Sequence, residues 1–204
     1  TYKIITKAKK HLLFLSKFIA LPVGHSIDPF GLLNDYAPSI GFNKSEELIG
    51  KSLLKDFGLT ESDKFICLTC RDSAYLEKEM PGMNWDYHNY RNGDIENFKE
   101  AAIYLAKQGF FIFRMGKHVE KSFNLNNSQI IDYANSPLRS DFMDIYLGAK
   151  CEFCITTQTG FDGVPHMFRK PLATITMPVG DGRVSNKKSL FITKKHICAI
   201  TNKE

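Results

Sequence analysis

KFICLTCRD, residues 64–72, is an apolar run that closes abruptly on an Arg-Asp pair. From Phe65 to Leu68 no polar residue interrupts it, so the segment has no solvent face, and its length is that of a strand buried on both sides. A helical stripe precedes it. Leu48, Ile49, Leu53, Leu54 and Phe57 recur at helical spacing, Asn43 with Glu46 forms a capping box, and Gly58 stops the helix. The same alternation returns downstream. Asp94 can cap a helix with Ile95, Phe98, Ala102 and Leu105 on one face and Gly109 as its stop, and FFIFRM (110–115) follows as a second strand. QIIDYA (129–134) reads as a short third strand, Ser140 can cap a helix through Gly148, and CEFCITT (151–157) reads as a fourth strand. GFDGVPHMF (160–168) reads as a short helix, kinked or begun anew near Pro165, and LATITMP (172–178) as a fifth strand. Strands alternating with helices in this way predict an α/β fold, a Rossmann-like parallel sheet with helices on both faces.

This pattern occupies residues 43–204, and residues 1–42 read as a linker with one helical segment. Residues 71–93 read as a long polar connection containing Pro81, Gly82, the only Trp (Trp85) and Arg91. Residues 181–204 are polar except for a strand-like SLFIT, which the pattern does not place. At 204 residues, 43% of them hydrophobic, the chain can bury a substantial core. Its net charge of +5 is mild and its cations are scattered, which suits a small anionic ligand and gives no support to a nucleic-acid partner. Five cysteines without a dense framework indicate a reducing compartment, most simply the cytoplasm. The apolar stretch from His11 to Val23 is too short for a membrane span and is interrupted by Lys17. With Lys7, Lys9 and Lys10 ahead of it, it could lie peripherally on the inner membrane, although its periodicity favours an ordinary packed helix. The start at Thr1 and the stop at TNKE suggest a piece of a larger protein.

Cys67 with Cys70 and Cys151 with Cys154 repeat a Cys-x-x-Cys spacing that in a turn would suggest zinc. Within a strand, residues three apart point to opposite faces, with Cα atoms about 10 Å apart at a rise of about 3.3 Å per residue. No metal is therefore expected, and the cysteines read as small core residues.

Ligands of an open parallel sheet sit beyond the carboxyl ends of its strands. Those ends carry Cys70-Arg71-Asp72-Ser73, then Arg114-Met115-Gly116-Lys117, then Arg139-Ser140-Asp141, then Thr156-Thr157-Gln158-Thr159-Gly160. Guanidinium groups from three loops would face hydroxyls, a glycine and free helix N–H groups, a set that suits phosphate or diphosphate. The alternative is local pairing of Arg71 with Asp72 and of Arg139 with Asp141. His88 and His166 read as incidental.

The run IDYANSPLRSDFMDIYLGAKCEFCITTQTGFDGVPHMFRKPLATITMP (131–178) resembles the donor-binding half of GT-B glycosyltransferases. CRDSAYL, YHNYRNGDIENF, RMGKHVEK and LRSDFMDIYLGAKCEFCITT are similar to stretches of a bacterial glycosyltransferase family linked to surface-polysaccharide synthesis. The resemblance implies the C-terminal, nucleotide-sugar-binding domain of a GT-B enzyme that transfers a sugar to a glycan or lipid-linked acceptor. The nucleotide-sugar would be a substrate, with no cofactor and no bound metal. It implies Arg71 and Arg114 at the departing diphosphate, Lys117 and Arg139 behind them, and Thr157, Thr159 and Gly160 holding phosphate. Asp162 would hold a sugar or ribose hydroxyl, or serve as a plain helix N-terminal charge, and Asp72 is the in-chain candidate for general base. The sequence departs from relatives of the fold at Gln158, where some carry an acid, and no Gly-rich loop follows the first strand. Two rivals stand beside this reading: a GT-B-like pyruvyl transferase and a non-catalytic nucleotide- or glycan-binding module.

Overall fold

The computed structural model describes residue 28 and residues 31–178, 186–198 and 200–202. Its centre is a six-stranded, all-parallel sheet in the order β3-β2-β1-β4-β5-β6. The strands are β1 (Lys64–Thr69), β2 (Phe110–Met115), β3 (Ile130–Ile131), β4 (Cys154–Thr156), β5 (Leu172–Met177) and β6 (Leu190–Thr193). The helices are α1 (Leu32–Asp35), α2 (Lys44–Asp56), α3 (Ala74–Glu79), α4 (Lys99–Lys107), α5 (Asp141–Lys150) and α6 (Gly163–Met167). This is a Rossmann-like order, and the direction of winding reverses between β1 and β4, so a crevice opens beyond their carboxyl ends.

Local chemistry explains the helix boundaries. Asn43 caps α2 by accepting from the Glu46 N–H at 3.0 Å while the Glu46 carboxylate accepts from the Asn43 N–H at 2.8 Å. Ser140 Oγ accepts from the Met143 N–H at 3.2 Å and starts α5. Gly109 ends α4 with φ of 89°, a left-handed conformation that costs glycine little.

Alternation along β1 and β2 sorts the core into two faces. Cys67, Phe113, Met115 and Phe65 pack with Tyr146 and Leu147 of α5 and with Leu53, Leu54 and Phe57 of the α2 region. Ile66, Leu68 and Ile112 pack with Phe98, Ala102 and Ala106 on the α4 side. Burying such a side chain fully contributes about 1.5–3 kcal/mol, so truncating Phe113, with no exposure at all, would cost about 3–5 kcal/mol. α2 and α5 approach closely at Gly50, where a Cβ would lie 2.2 Å from the Tyr146 ring.

The structure corrects several element boundaries. β3 is only Ile130–Ile131, and the rest of QIIDYA turns into a 3₁₀ helix over Tyr133–Asn135. β4 starts at Cys154, because Cys151 still caps α5. The supposed polar connection holds α3 and a 3₁₀ helix over Asp86–Arg91. SLFIT becomes β6, parallel to β5. No helix among the described residues is long and apolar enough to cross a membrane, and residues 11–23 lie outside the described residues.

Candidate functional site

A cleft of about 440 Å³ opens beyond the carboxyl ends of β1, β2 and β4. Arg71 and Asp72 line it from β1, Gly116 to Val119 from β2, Arg139 and Asp141 from the start of α5, and Thr159 and Gly160 from the loop after β4. The structure thus brings Arg71, Asp72, Lys117, Arg139, Thr159 and Gly160 of the expected set around one space.

Its floor is a polar staple between the β1 and β4 loops. Thr157, 2% exposed, accepts the Arg71 N–H on its hydroxyl at 2.7 Å and donates its own N–H to the Thr69 carbonyl at 3.3 Å. Thr159 Oγ1 lies 3.2 Å from Thr69 Oγ1 and donates to Asp162 Oδ1 at 3.1 Å. Asp162 Oδ1 also accepts from Thr156 Oγ1 at 2.6 Å. Burial pushes the Asp162 carboxyl up to about 6 despite these bonds. Thr157 and Asp162 therefore build the loop, with their polar atoms turned inward. Gly160 faces the other way: apart from its chain neighbours, a Cβ there would meet no atom of a described residue within 4 Å, so the backbone is open to whatever enters the cleft.

The cations of the cleft differ in what holds them. Lys117 pairs with Glu79 at 2.6 Å. Arg139 donates from Nε to the Gly116 carbonyl at 3.2 Å and from Nη2 to Asp144 at 2.5 Å, with Asp141 farther off at 3.5 Å. Burial raises the Asp144 carboxyl above its ordinary range, against the pull of Arg139. Arg71 makes no ion pair with any described residue, and its Nε is buried without a hydrogen-bond partner. Burial depresses its guanidinium, and Arg91 nearby adds to that cost. Of the two local pairs, Arg71 with Asp72 does not form, whereas Arg139 does pair with Asp141 at 3.5 Å but is held more closely by Asp144.

Two residues differ from the sequence reading, Arg114 in its position and Asp72 in its bonds. Arg114 is not in the cleft. It is fully buried on the α4 side of the sheet and pairs through Nη1 with Asp132 at 3.2 Å. The reason is alternation: Met115 and Phe113 face α5 and the cleft side, so Arg114 between them must face the opposite way. Asp72 lines the cleft, but both its oxygens accept backbone N–H groups, Oδ1 from Ala74 at 3.2 Å and Oδ2 from Glu120 at 3.0 Å. Burial raises its carboxyl, yet these bonds make it a clamp between α3 and the 116–121 loop rather than a free base.

Sequence reasoning missed Asp144, Tyr75 and His118, all in the cleft wall. Asp144 was legible as the residue one turn into α5 from Ser140. His118, which contacts Glu79 at 2.9 Å and stacks on Tyr75 at 6.2 Å between ring centroids, had no local signal. The cysteines fall partly as expected. Cys67 and Cys70 belong to opposite faces of the core, but Cys151 and Cys154 both join Cys67 on the α5 face, because Cys151 precedes the strand. Burial pushes the Cys67 and Cys154 thiols well up, so they stay protonated. No group of three or more His, Cys, Asp or Glu among the described residues is placed to hold a metal.

No protein-family model matches the chain, and no curated protein matches it. Among solved structures, the glycosyl transferase family 9 protein from Veillonella parvula DSM 2008 is similar at a TM-score of 0.45 and 14% identity, over 76% of this chain and 41% of that one. The chain thus spans about two fifths of that protein's length. The Rossmann-like assignment rests on the parallel topology described above.

Proposed function

We propose that this chain is the nucleotide-sugar-binding part of a GT-B glycosyltransferase that acts in bacterial surface-polysaccharide assembly at the cytoplasmic side of the envelope. The observation that carries the reading is the pairing of Arg71 with Gly160 across the crevice where the sheet reverses its winding. Arg71 presents a half-buried guanidinium without a counter-ion among the described residues, and Gly160 presents backbone that no described residue covers. A diphosphate placed there would accept charge-assisted hydrogen bonds from Arg71 and approach the Gly160 backbone closely.

In transfer, the bond between the anomeric carbon and the diphosphate oxygen breaks, and negative charge grows on the departing group. A cation already held in a partly dry cleft stabilises that charge without reorganising. Arg139 and Lys117 add to the positive field while their carboxylate partners fix their positions. Thr157 and Asp162 position the loop without touching the donor, and Asp72 holds the β1 loop to the β2 loop.

Calorimetric titration with a panel of nucleoside diphosphates, their sugar conjugates and phosphoenolpyruvate tests the reading. One nucleoside diphosphate series binding well above the rest, with binding lost in Arg71→Ala, is the expected result. Binding of phosphoenolpyruvate alone would favour pyruvyl transfer, and no binding by any member would sink the proposal.

A further inference from the structure

A second cleft of about 340 Å³ lies beside the first, and the chemistry of its lining is different. Asp72 lines one and its neighbour Ser73 lines the other. The wall of the second is the 3₁₀ helix Asp86–Arg91 and its flanks. A 3₁₀ helix has three residues per turn, so positions three apart eclipse about 6 Å from each other along the axis. Asp86, Asn89 and Asn92 therefore form one polar stripe, and all three line the cleft. They link as a ladder, Asn92 Nδ2 donating to Asn89 at 3.2 Å and Asn89 Nδ2 to Asp86 at 3.2 Å. Each amide and carboxylate keeps further donor or acceptor capacity for a ligand. Tyr87 and Tyr90 form a second stripe, 64% and 61% exposed. His88 and Arg91 face inward, half-buried.

Trp85 joins the polar stripe in the cleft and stacks on His88 at 5.8 Å, so its ring is held in place. The segment is anchored from outside as well. Gly93 donates its N–H to the Arg71 carbonyl at 2.9 Å, and Lys194 Nζ donates to the carbonyls of Tyr90 at 2.6 Å and Asn92 at 3.1 Å. The result is a fixed aromatic ring beside a row of planar amide and carboxylate groups. Among the described residues no Lys, Arg or His lines this cleft, while Glu77 and Asp86 do. Phosphate is thus disfavoured here. A pyranose fits: its C–H face packs on an aromatic ring, and its vicinal hydroxyls donate to and accept from side-chain amides and carboxylates.

We infer that the cleft between Ser73 and Asn92 binds a neutral saccharide, next to the cleft that holds Arg71. This deepens the glycosyltransferase reading by giving the acceptor class, and only the word acceptor depends on that reading. The saccharide site stands on its own residues.

Trp85 is the chain's only tryptophan, so its emission reports on this cleft alone. Fluorescence titration would use galactose, N-acetylglucosamine and lactose as neutral probes and glucuronic acid as the anionic one. A saturable change with at least one neutral probe, and none with glucuronic acid, is expected. Asp86→Asn and Asn89→Ala should each weaken the neutral probe about tenfold, the loss of one hydrogen bond to a charged or planar group. No saturable response to any neutral sugar, or unchanged affinity in both variants, would overturn the inference. Calorimetry with UDP and GDP on the same sample separates the two clefts. Saccharide binding without nucleotide binding would remove the donor reading and leave this site standing.

Discussion

The ends of β1 and β2 look alike in sequence, an apolar run closing on an arginine, yet the fold uses the two arginines in opposite ways. Arg71 follows its strand, lies in the cleft and has no counter-ion among the described residues. Arg114 sits inside its strand, is sealed on the α4 face and pairs with Asp132. Position relative to the strand end decides the outcome: one residue before the end of β2 the Arg114 side chain is bound to the pleat, and two residues past the end of β1 the Arg71 side chain is free to turn. The difference separates a cation that holds the fold from one left available to a ligand.

The sharpest break of that comparison is Arg114→Ala. Asp132 would keep its bonds from the Phe123 N–H at 2.9 Å and Asn135 Nδ2 at 2.8 Å but lose its buried cation. The expected loss is about 3–5 kcal/mol of stability, read as a melting temperature roughly 6–20 °C lower. Arg71→Ala should do the reverse. Its melting temperature should stay close to wild type, within about 0.5 kcal/mol, while nucleoside diphosphate affinity falls roughly ten- to a hundredfold by calorimetry, or about 1.5–3 kcal/mol. Equal stability losses in the two variants would erase the distinction between them.

Gly160→Val extends the test to the other wall. No protein atom obstructs a side chain there, so thermal stability should change by less than about 1 kcal/mol. Diphosphate affinity should drop all the same, because the branched side chain would fill the space beside the backbone. A variant that unfolds but binds normally when rescued would make Gly160 a turn residue only.

The smallest effect concerns pH. Asp162 titrates near 6 in the folded chain against an ordinary value of 3.8, so between those values the folded state holds a proton that the unfolded chain has released. Stability from this group therefore falls as pH rises from about 4 to about 6 and is level above that. Asp162 keeps part of its surface exposed, which reduces the difference to about 1 kcal/mol. Asp162→Asn should flatten that part of the profile in a melting series across the range, and an unchanged slope would assign it to other carboxyls.

Much of the architecture was legible because the periodicities are strong. The capping box at Asn43, the stop at Gly109 and the strands β1 and β2 follow from local chemistry alone. What was hidden depends on distant partners. QIIDYA looks like a strand until Asp132 turns to meet Arg114, eighteen positions away. Cys151 looks like a strand residue because its helix runs two residues beyond the glycine expected to end it and Cys151 caps it. The stripes of the Asp86–Arg91 helix have period three, which matches neither the helical nor the strand pattern sought in residues 71–93. Among candidate site residues, the loop positions Arg71 and Gly160 were legible because a parallel sheet aims its strand ends at one crevice. Thr157 and Asp162 were not, because a hydroxyl or carboxylate in a loop gives no sign of which way it will point.

The staple between Thr69 and Thr159 joins residues 90 positions apart. Contacts of such long range require the closure of a large loop, and they form after local structure has been established. During synthesis or refolding, β1, α4 and β2 can assemble well before β4 arrives to complete the floor of the crevice. Ligand affinity should therefore be acquired in a late kinetic phase, after far-ultraviolet signal has returned. A chain arrested before β4 would carry much of the secondary structure but lack the Thr159 and Gly160 wall of the site.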